Sequence, residues 1–232
     1  MASNPQLIQR LESTELLITG RLIDASNATL FGHLIDDEDF KIIYKPIAGE
    51  RPLWDFPSGS LAYREYASYL FSEIFDFNLV PPTVLREGPY GFGMVQLWIK
   101  DAQPDNLIEV AQGSNPYLRK LVLFDALINN ADRKFGHILL VSDESLMGCD
   151  HGVTFHVEDK LRTVLWQFAD EPLVTHEIEV LERVANYDFR DFTEYLNDEE
   201  IAAIIFRAEN ILRKSRLPSP SDDRPSIPWP PV

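Results

Sequence analysis

Asn129-Asn130-Ala131-Asp132-Arg133-Lys134-Phe135-Gly136-His137 opens a stretch that closes, eighteen residues after Asp132, on Asp150-His151-Gly152. Between them lies a short apolar run, Ile138 to Val141, then Ser142-Asp143-Glu144-Ser145, then a second apolar run to Cys149. The branched residues predict a strand, the polar quartet a turn, and the pair a hairpin. A loop, a hairpin and a second loop bring Asp132 and Asp150 back beside each other. Either loop alone reads as an ordinary turn, because Asp and Gly are common turn formers. Together, at this spacing, they read as a site. Two converging carboxylates among loops suit Mg²⁺ and phosphate, since Mg²⁺ takes oxygen ligands and usually one or two protein carboxylates.

These residues resemble the catalytic centre of the protein-kinase-like superfamily, in its phosphatidylinositol 3-/4-kinase-like branch, which is itself similar to kinases of bacterial toxin–antitoxin pairs. In that pattern a catalytic-loop Asp is followed five residues on by a metal-binding Asn. A second metal-binding Asp then opens an Asp-x-Gly segment. Asp132 matches the first and Asp150 the second. The Asn position holds His137, a departure. Asp132-Arg133-Lys134 looks like the lipid-kinase version of the loop, and on that likeness Lys134 is grouped with Asp132 as catalytic. The resemblance spans roughly residues 16–213. It implies an α+β, two-lobed fold, with a small antiparallel-sheet lobe over residues 1–99 and a helical lobe over 100–214. It also implies ATP and Mg²⁺, and a hydroxyl-bearing acceptor (small molecule, lipid or protein). Asp132 would orient or accept the hydroxyl proton, and Asp150 with His137 would hold metal. Imidazole is a softer donor than a carboxamide, so His137 as a ligand points towards Mn²⁺ and towards activity lost below a pKa of about 6.5.

Composition bounds the rest. The chain has 232 residues, is 45% hydrophobic and carries a net charge of −16. That content supports a core. The acidity disfavours nucleic acid and anionic membrane surfaces as partners. A single cysteine, Cys149, excludes an internal disulfide and fits a reducing cytoplasm. Cys149 reads as a small core residue, with no basic partner nearby to activate it. No signal-peptide pattern opens the sequence, and no apolar run reaches the roughly 18 residues of a membrane helix.

Outward from the centre, the small lobe reads as follows. Residues 1–14 form a frayed start or a short helix. Gly20 to Phe31 is a hairpin whose tip, with Ser26 and Asn27, stands where the resemblance puts a phosphate-covering loop; an ordinary turn reads the same way. Phe40, Ile42 and Tyr44 alternate with Lys41, Ile43 and Lys45, so Lys45 lies on a partly buried strand face. A lysine there is costly unless paired. The resemblance gives it the nucleotide phosphates, with Glu65 as its partner and Glu73 as the alternative. Gly49-Glu50-Arg51-Pro52-Leu53-Trp54-Asp55-Phe56-Pro57-Ser58-Gly59 is a rigid aromatic loop, similar to stretches in a small bacterial group of lipid-kinase-like proteins. Ser60 is expected to cap a helix to about Phe75, with Leu61, Ala62, Tyr66, Tyr69, Leu70 and Ile74 as its apolar stripe. Met94 to Ile99 is a strand leading to the linker, where Gln96, Leu97 and Trp98 would meet adenine through backbone groups.

In the large lobe, Asn115-Pro116 starts a helix that runs into the catalytic loop, with Asp125 in its middle as a structural residue. Residues 153–166 would read the acceptor. Lys160 and Arg162 are too few for a polyphosphorylated head group. His151, His156 and His176 match no zinc spacing and read as surface or hydrogen-bonded histidines. Helices follow at about 176–186 and 191–196, and from Asn197, whose spacing to Glu200 is that of a capping box. Residues 215–232 carry six prolines and read as an extended or disordered tail. Two other functions fit the same residues: a nucleotide-binding pseudokinase, with His137 marking lost catalysis, and transfer of AMP in place of phosphate.

Overall fold

Alternation along β3 (Asp37–Pro46) is what builds the small lobe. Ile42 and Tyr44 enter a core with Leu11, Leu16, Leu34, Val84 and Val95, while Lys45 faces the other way. The computed structural model describes residues 4–22, 27–100, 102–103, 105–142 and 145–231. Ser26 and the rest of the hairpin tip, residues 23–26, lie outside the described residues, as do Asp143 and Glu144 of the second turn. Among the described residues, β1 (Leu16–Arg21), β2 (Leu30–Leu34), β3, β5 (Gly91–Leu97) and β4 (Thr83–Gly88) form one sheet in the order β1-β2-β3-β5-β4, antiparallel throughout. β5 can lie against β3 because Gly93 has no side chain: a Cβ there would sit 2.3 Å from the Lys45 carbonyl oxygen. The N-terminal helix α1 (Pro5–Ser13) begins at Asn4, whose side chain accepts the Gln6 N–H at 3.0 Å. It is tied to β4 by Arg86, which donates to the carbonyls of Leu11 and Thr14, each at 2.7 Å.

The helix α2 (Leu61–Ile74) departs from expectation in two ways. Ser60 does not cap it. Ser60 has helical rather than extended backbone angles, and its hydroxyl donates to the Pro57 carbonyl at 2.7 Å. The cap comes from Glu50, whose carboxylate accepts the N–H groups of Leu61 (3.2 Å) and Ala62 (2.9 Å). The buried face is also wider than the apolar stripe, taking in Arg64, Glu65, Ser68, Phe71 and Ser72. The reason is a second partner. Phe71 is wholly buried among Phe124, Phe155 and Phe192 of the large lobe. Arg64 donates to the Thr154 carbonyl at 2.5 Å and is ion-paired with the buried Glu200. The large core therefore includes part of α2 and residues 75–80 as well as the chain beyond residue 100.

The large lobe follows with α3 (Leu107–Ala111), α4 (Pro116–Ile128), the hairpin β6 (Ile138–Leu140) and β7 (Leu146–Gly148), α5 (Thr175–Ala185) and α6 (Asp198–Lys214). Asn115 caps α4 through the Tyr117 N–H at 2.8 Å. The Asn197–Glu200 capping box of α6 is present in both directions. The helix expected over 191–196 is instead a 3-10 turn at Phe189–Phe192. The proline-rich tail is extended, and it is tied down rather than free. Thr163 N–H and Trp166 Nε1–H donate to the Ser226 carbonyl, and Phe135 N–H donates to that of Pro231. No helix among the described residues is long and apolar enough to cross a membrane.

Candidate active site

α4 is buried on nearly every side, and its end delivers the chain to the 129–137 loop. Asn129 stops it in the left-handed conformation (φ 55°), which Asn tolerates better than most residues. Its side chain donates to the carbonyls of His156 (2.8 Å) and Glu158 (2.6 Å) and accepts the Lys160 N–H. Asn130 accepts the Asp132 N–H at 3.0 Å and donates to Asp125 at 3.0 Å. The loop's two asparagines thus fix the backbone on which Asp132 sits.

Arg133 is the centre of this construction. Its side chain is fully buried, and its five N–H groups meet five acceptors. Nε donates to Asp125 Oδ2 (2.9 Å), and Nη2 donates to Asp125 Oδ1 (2.9 Å) and His151 Nε2 (2.6 Å). Nη1 donates to the carbonyls of His137 and Cys149, each at 3.0 Å. One guanidinium therefore clamps the 129–137 loop, the far end of the hairpin and the Asp150-His151-Gly152 segment together. Gly148 makes room for it, since a Cβ there would lie 2.8 Å from Nη2. Burial disfavours the charge, but Asp125 outweighs it and raises the Arg133 pKa. Asp125 is structural, as expected; its charged partner Arg133 could not be read from local sequence. One signal existed: from Leu121 to Ile128 every residue of α4 except Asp125 is apolar, so that part of the helix has no wet face to hold a carboxylate.

Lys45 and Glu65 meet, with Nζ–Oε1 at 2.5 Å, and Lys45 Nζ also reaches Asp150 Oδ1 at 2.7 Å. The other Glu65 oxygen accepts the His151 N–H at 2.8 Å. Burial would lower the lysine pKa, but Asp150 and Glu65 together raise it. Burial raises that of Glu65 against the pull of Lys45. Asp150 takes left-handed backbone angles (φ 59°) and its side chain is about half exposed. Burial pushes its pKa up, but Lys45 and then His137 overcome this and hold it well below the usual carboxylate range.

His137 bridges the two aspartates. Its Nδ1 lies 2.8 Å from the Asp132 carbonyl oxygen, which can only accept, so Nδ1 carries the proton. Nε2 then presents a lone pair to Asp150 Oδ2 at 3.3 Å. Burial lowers the His137 pKa to about 4, so the ring is neutral at pH 7. Two acceptors facing each other with no hydrogen between them fit a cation. Adjacent octahedral ligands on bonds of about 2.1 Å stand about 3.0 Å apart, close to this separation. Among the described residues there is no group of three or more His, Cys, Asp or Glu that could hold a metal. The Asp132 carboxylate is turned to Lys134 Nζ at 3.3 Å, and burial raises its pKa, with Lys134 opposing. Cys149, pushed up to about 12 by burial, stays a thiol. His151 is not on the surface; it is buried and accepts from Arg133.

Other expected contacts fall differently. Asn27 Oδ1 accepts the Arg51 N–H at 2.8 Å, joining the chain just before β2 to the aromatic loop. The Gln96 side chain donates to Thr83. The N–H groups of Leu97 and Trp98 go to the carbonyls of Pro82 (2.9 Å) and Lys41 (3.0 Å), so neither is a free donor for a base. What this stretch offers is the Trp98 ring, 37% exposed and edge-on to Phe31 at 5.2 Å. The aromatic loop reaches the large lobe through Asp55–Lys160 at 2.6 Å and Phe56 against His156.

A small antiparallel sheet, a lysine–glutamate pair and two loop aspartates beneath it define a kinase-like fold. Two solved structures share it at low sequence identity. The Golgi casein kinase with Mn/ADP bound superposes with a TM-score of 0.60 and 14% identity, over 91% of this chain and 76% of that one. Hydra Fam20 with sugar gives 0.59 and 13%, over 93% and 89%. No family model matches the chain. It is, however, 38% identical to Protein Rv2133c of Mycobacterium tuberculosis over an alignment of 260 positions, covering 95% of this chain and 93% of that protein. The chain belongs to the family of that protein.

Proposed function

We propose that the protein is an ATP-dependent phosphotransferase of phosphatidylinositol 3-/4-kinase-like type, acting on a hydroxyl acceptor and using a divalent cation held by Asp150 and His137. The observation that carries the reading is the facing pair of lone pairs, His137 Nε2 and Asp150 Oδ2, beside a lysine already aimed at Asp150. The Golgi casein kinase, solved with Mn/ADP, lends the nucleotide and metal by analogy of fold. The Asp132-Arg133-Lys134 order supports the lipid-kinase-like branch.

In this reading Lys45, steadied by Glu65, neutralises phosphate oxygens. Asp132 accepts the proton of the attacking hydroxyl, a role its raised pKa suits. Lys134 keeps the Asp132 carboxylate oriented and sits where charge develops. The metal, when bound, supplies charge neutralisation at the phosphates; the protein supplies positioning, which is most of what phosphoryl transfer asks. One neutral imidazole and one carboxylate favour Mn²⁺ more than an all-oxygen set does.

Calorimetry with ADP and Mn²⁺ or Mg²⁺ tests this. Asp150→Asn should abolish the metal-dependent part of ADP affinity. His137→Asn should shift preference from Mn²⁺ towards Mg²⁺. Unchanged metal-dependent binding in Asp150→Asn would refute the site. Label from γ-marked but not α-marked ATP should appear on the acceptor; α label on the acceptor, with the γ label released as pyrophosphate, identifies AMP transfer.

A further inference from the structure

We infer that residues 217–231 are a working part of the active site, a strap that positions the two segments flanking Asp132. The inference rests on the phosphotransferase reading for its consequence, but not for its geometry. Three layers lie side by side. The catalytic loop is bonded to the segment after the Asp150 turn: Arg162 N–H donates to Asn130 (2.9 Å), Arg133 N–H to Arg162 (3.0 Å) and Val164 N–H to Arg133 (3.1 Å). Arg133 and Thr163 form a parallel bridge. The third layer is the strap, whose Ser226 carbonyl accepts from Thr163 N–H (3.0 Å) and Trp166 Nε1–H (2.9 Å).

The strap then crosses to the other flank. The Pro231 carbonyl accepts the Phe135 N–H at 2.9 Å. Phe135 opens the 3-10 turn that carries His137. One attachment is therefore at Phe135, three residues after Asp132, and the other at Thr163, which bridges to Arg133 next to Asp132. The strap is itself preformed. Ser226 Oγ accepts the Ser221 N–H (3.0 Å) and donates to the Ser221 carbonyl (3.1 Å), closing a small loop. Arg224 Nη2 fixes that loop to Asp159 at 2.6 Å. Prolines at 218, 220, 225, 228, 230 and 231 restrict the unbound segment, so less chain entropy is lost on docking. Leu217, buried and bonded to Glu171, anchors the near end. Without the strap, the Phe135 and Thr163 amides lose their acceptors and the two segments lose their outer support.

The test compares the full chain with two deletions. One ends after Pro220, keeping the Leu217 anchor; the other ends after Trp229 and removes only the Pro231 carbonyl from Phe135. Amide hydrogen exchange is the readout independent of catalysis. Ending at Pro220 should speed exchange across 133–137 and 160–164 by about 10-fold or more, with β3 and α2 unchanged. Ending at Trp229 should speed the 133–137 segment alone. Phosphate release from Mn-ATP, with water standing in for the acceptor, should fall in kcat by about 10–10²-fold in the longer deletion while KM moves little. A synthetic peptide of residues 221–232 should restore part of it. Unchanged exchange at Phe135 and Thr163 would overturn the strap whatever the activity. Release that rises on deletion would overturn it in favour of an inhibitory tail. Failure of the intact chain to bind Mn-ADP would count against the phosphotransferase reading, and the exchange result would still decide the strap.

Discussion

Asp125→Asn removes one negative charge and changes almost no volume, yet it should be among the most damaging single substitutions in the chain. Arg133 is fully buried, and among the described residues Asp125 is the one carboxylate bonded to it, through two hydrogen bonds of 2.9 Å. Taking one partner from a buried ion pair leaves an uncompensated charge and costs about 3–5 kcal/mol. At about 2–4 °C per kcal/mol for a chain of this size, the melting temperature should fall by about 6–20 °C. Replacing both partners, Asp125→Leu with Arg133→Met, separates the ion pair from the clamp. If charge pairing were all that mattered, the double variant would regain wild-type stability, because apolar replacement of a buried pair is often neutral or better. It should not, because Arg133 also serves the carbonyls of His137 and Cys149 and the ring of His151. A buried acceptor left unsatisfied costs about 1–3 kcal/mol. Calorimetric unfolding should place the double variant between Asp125→Asn and wild type, with Mn-ADP affinity still impaired. A loss below about 1 kcal/mol in Asp125→Asn, or full recovery of both stability and binding in the double variant, would refute this account.

Four further outcomes are expected. Lys45→Ala and Glu65→Gln should each weaken ADP binding, and their double-mutant cycle should show coupling of about 1–3 kcal/mol; additivity would make Glu65 an ordinary helix residue. Asp132→Asn should leave Mn-ADP affinity within error while phosphate transfer falls by about 10²–10⁴-fold, and equal loss of both would make Asp132 structural. Glu50→Ala should cost about 0.5–2 kcal/mol in urea unfolding, as loss of a helix cap does, whereas Ser60→Ala should cost less. The ratio of Mn-ADP affinities of wild type and His137→Asn, in which the titration of the ADP phosphate cancels, should stay flat from pH 8 to about 5 and fall towards pH 4, following the His137 pKa of about 4. The sign is that of a depressed base. The folded ring resists protonation, so its contribution to stability is present above the unfolded pKa of about 6.5 and is lost as pH falls from there towards the folded value. An inflection near 6.5 would show His137 exposed and unperturbed.

The sequence made the chemistry legible where residues act at fixed spacing. Asp132, His137 and Asp150 come together because a two-stranded hairpin must return the chain, and the pattern of branched residues announces that hairpin. Lys45 was readable because strand alternation puts a cation where water is scarce, and Glu65 because helical spacing sets it beside the buried stripe. What stayed hidden depends on contacts distant in sequence. Glu50 caps a helix eleven residues away, while Ser60, a residue type that commonly caps, stands at the helix start and points to the wrong partner. The wider burial of α2 follows from Phe124, Phe155 and Phe192, which no window around Phe71 contains. Proline-rich composition read residues 215–232 as an extended or disordered tail; it could not say that Ser226 and Pro231 would meet Thr163 and Phe135. The His137 pKa moved because burial is a property of the assembled lobes, not of the neighbours in the chain.

The seating of α2 limits how such a molecule could be switched. Glu65 rides on a helix whose Phe71 is sealed among three aromatic rings of the other lobe and whose Arg64 is locked to Glu200. Swinging that helix outwards to part Glu65 from Lys45 would open a hole the size of a phenyl ring and strand a charge, at about 3–5 kcal/mol for the ring alone. An off-state of that kind would be populated at well under one molecule in a hundred. Parting Lys45 from Glu65 without that cost requires the sheet to move over a stationary helix, with β3 carrying Lys45 away from a fixed Glu65.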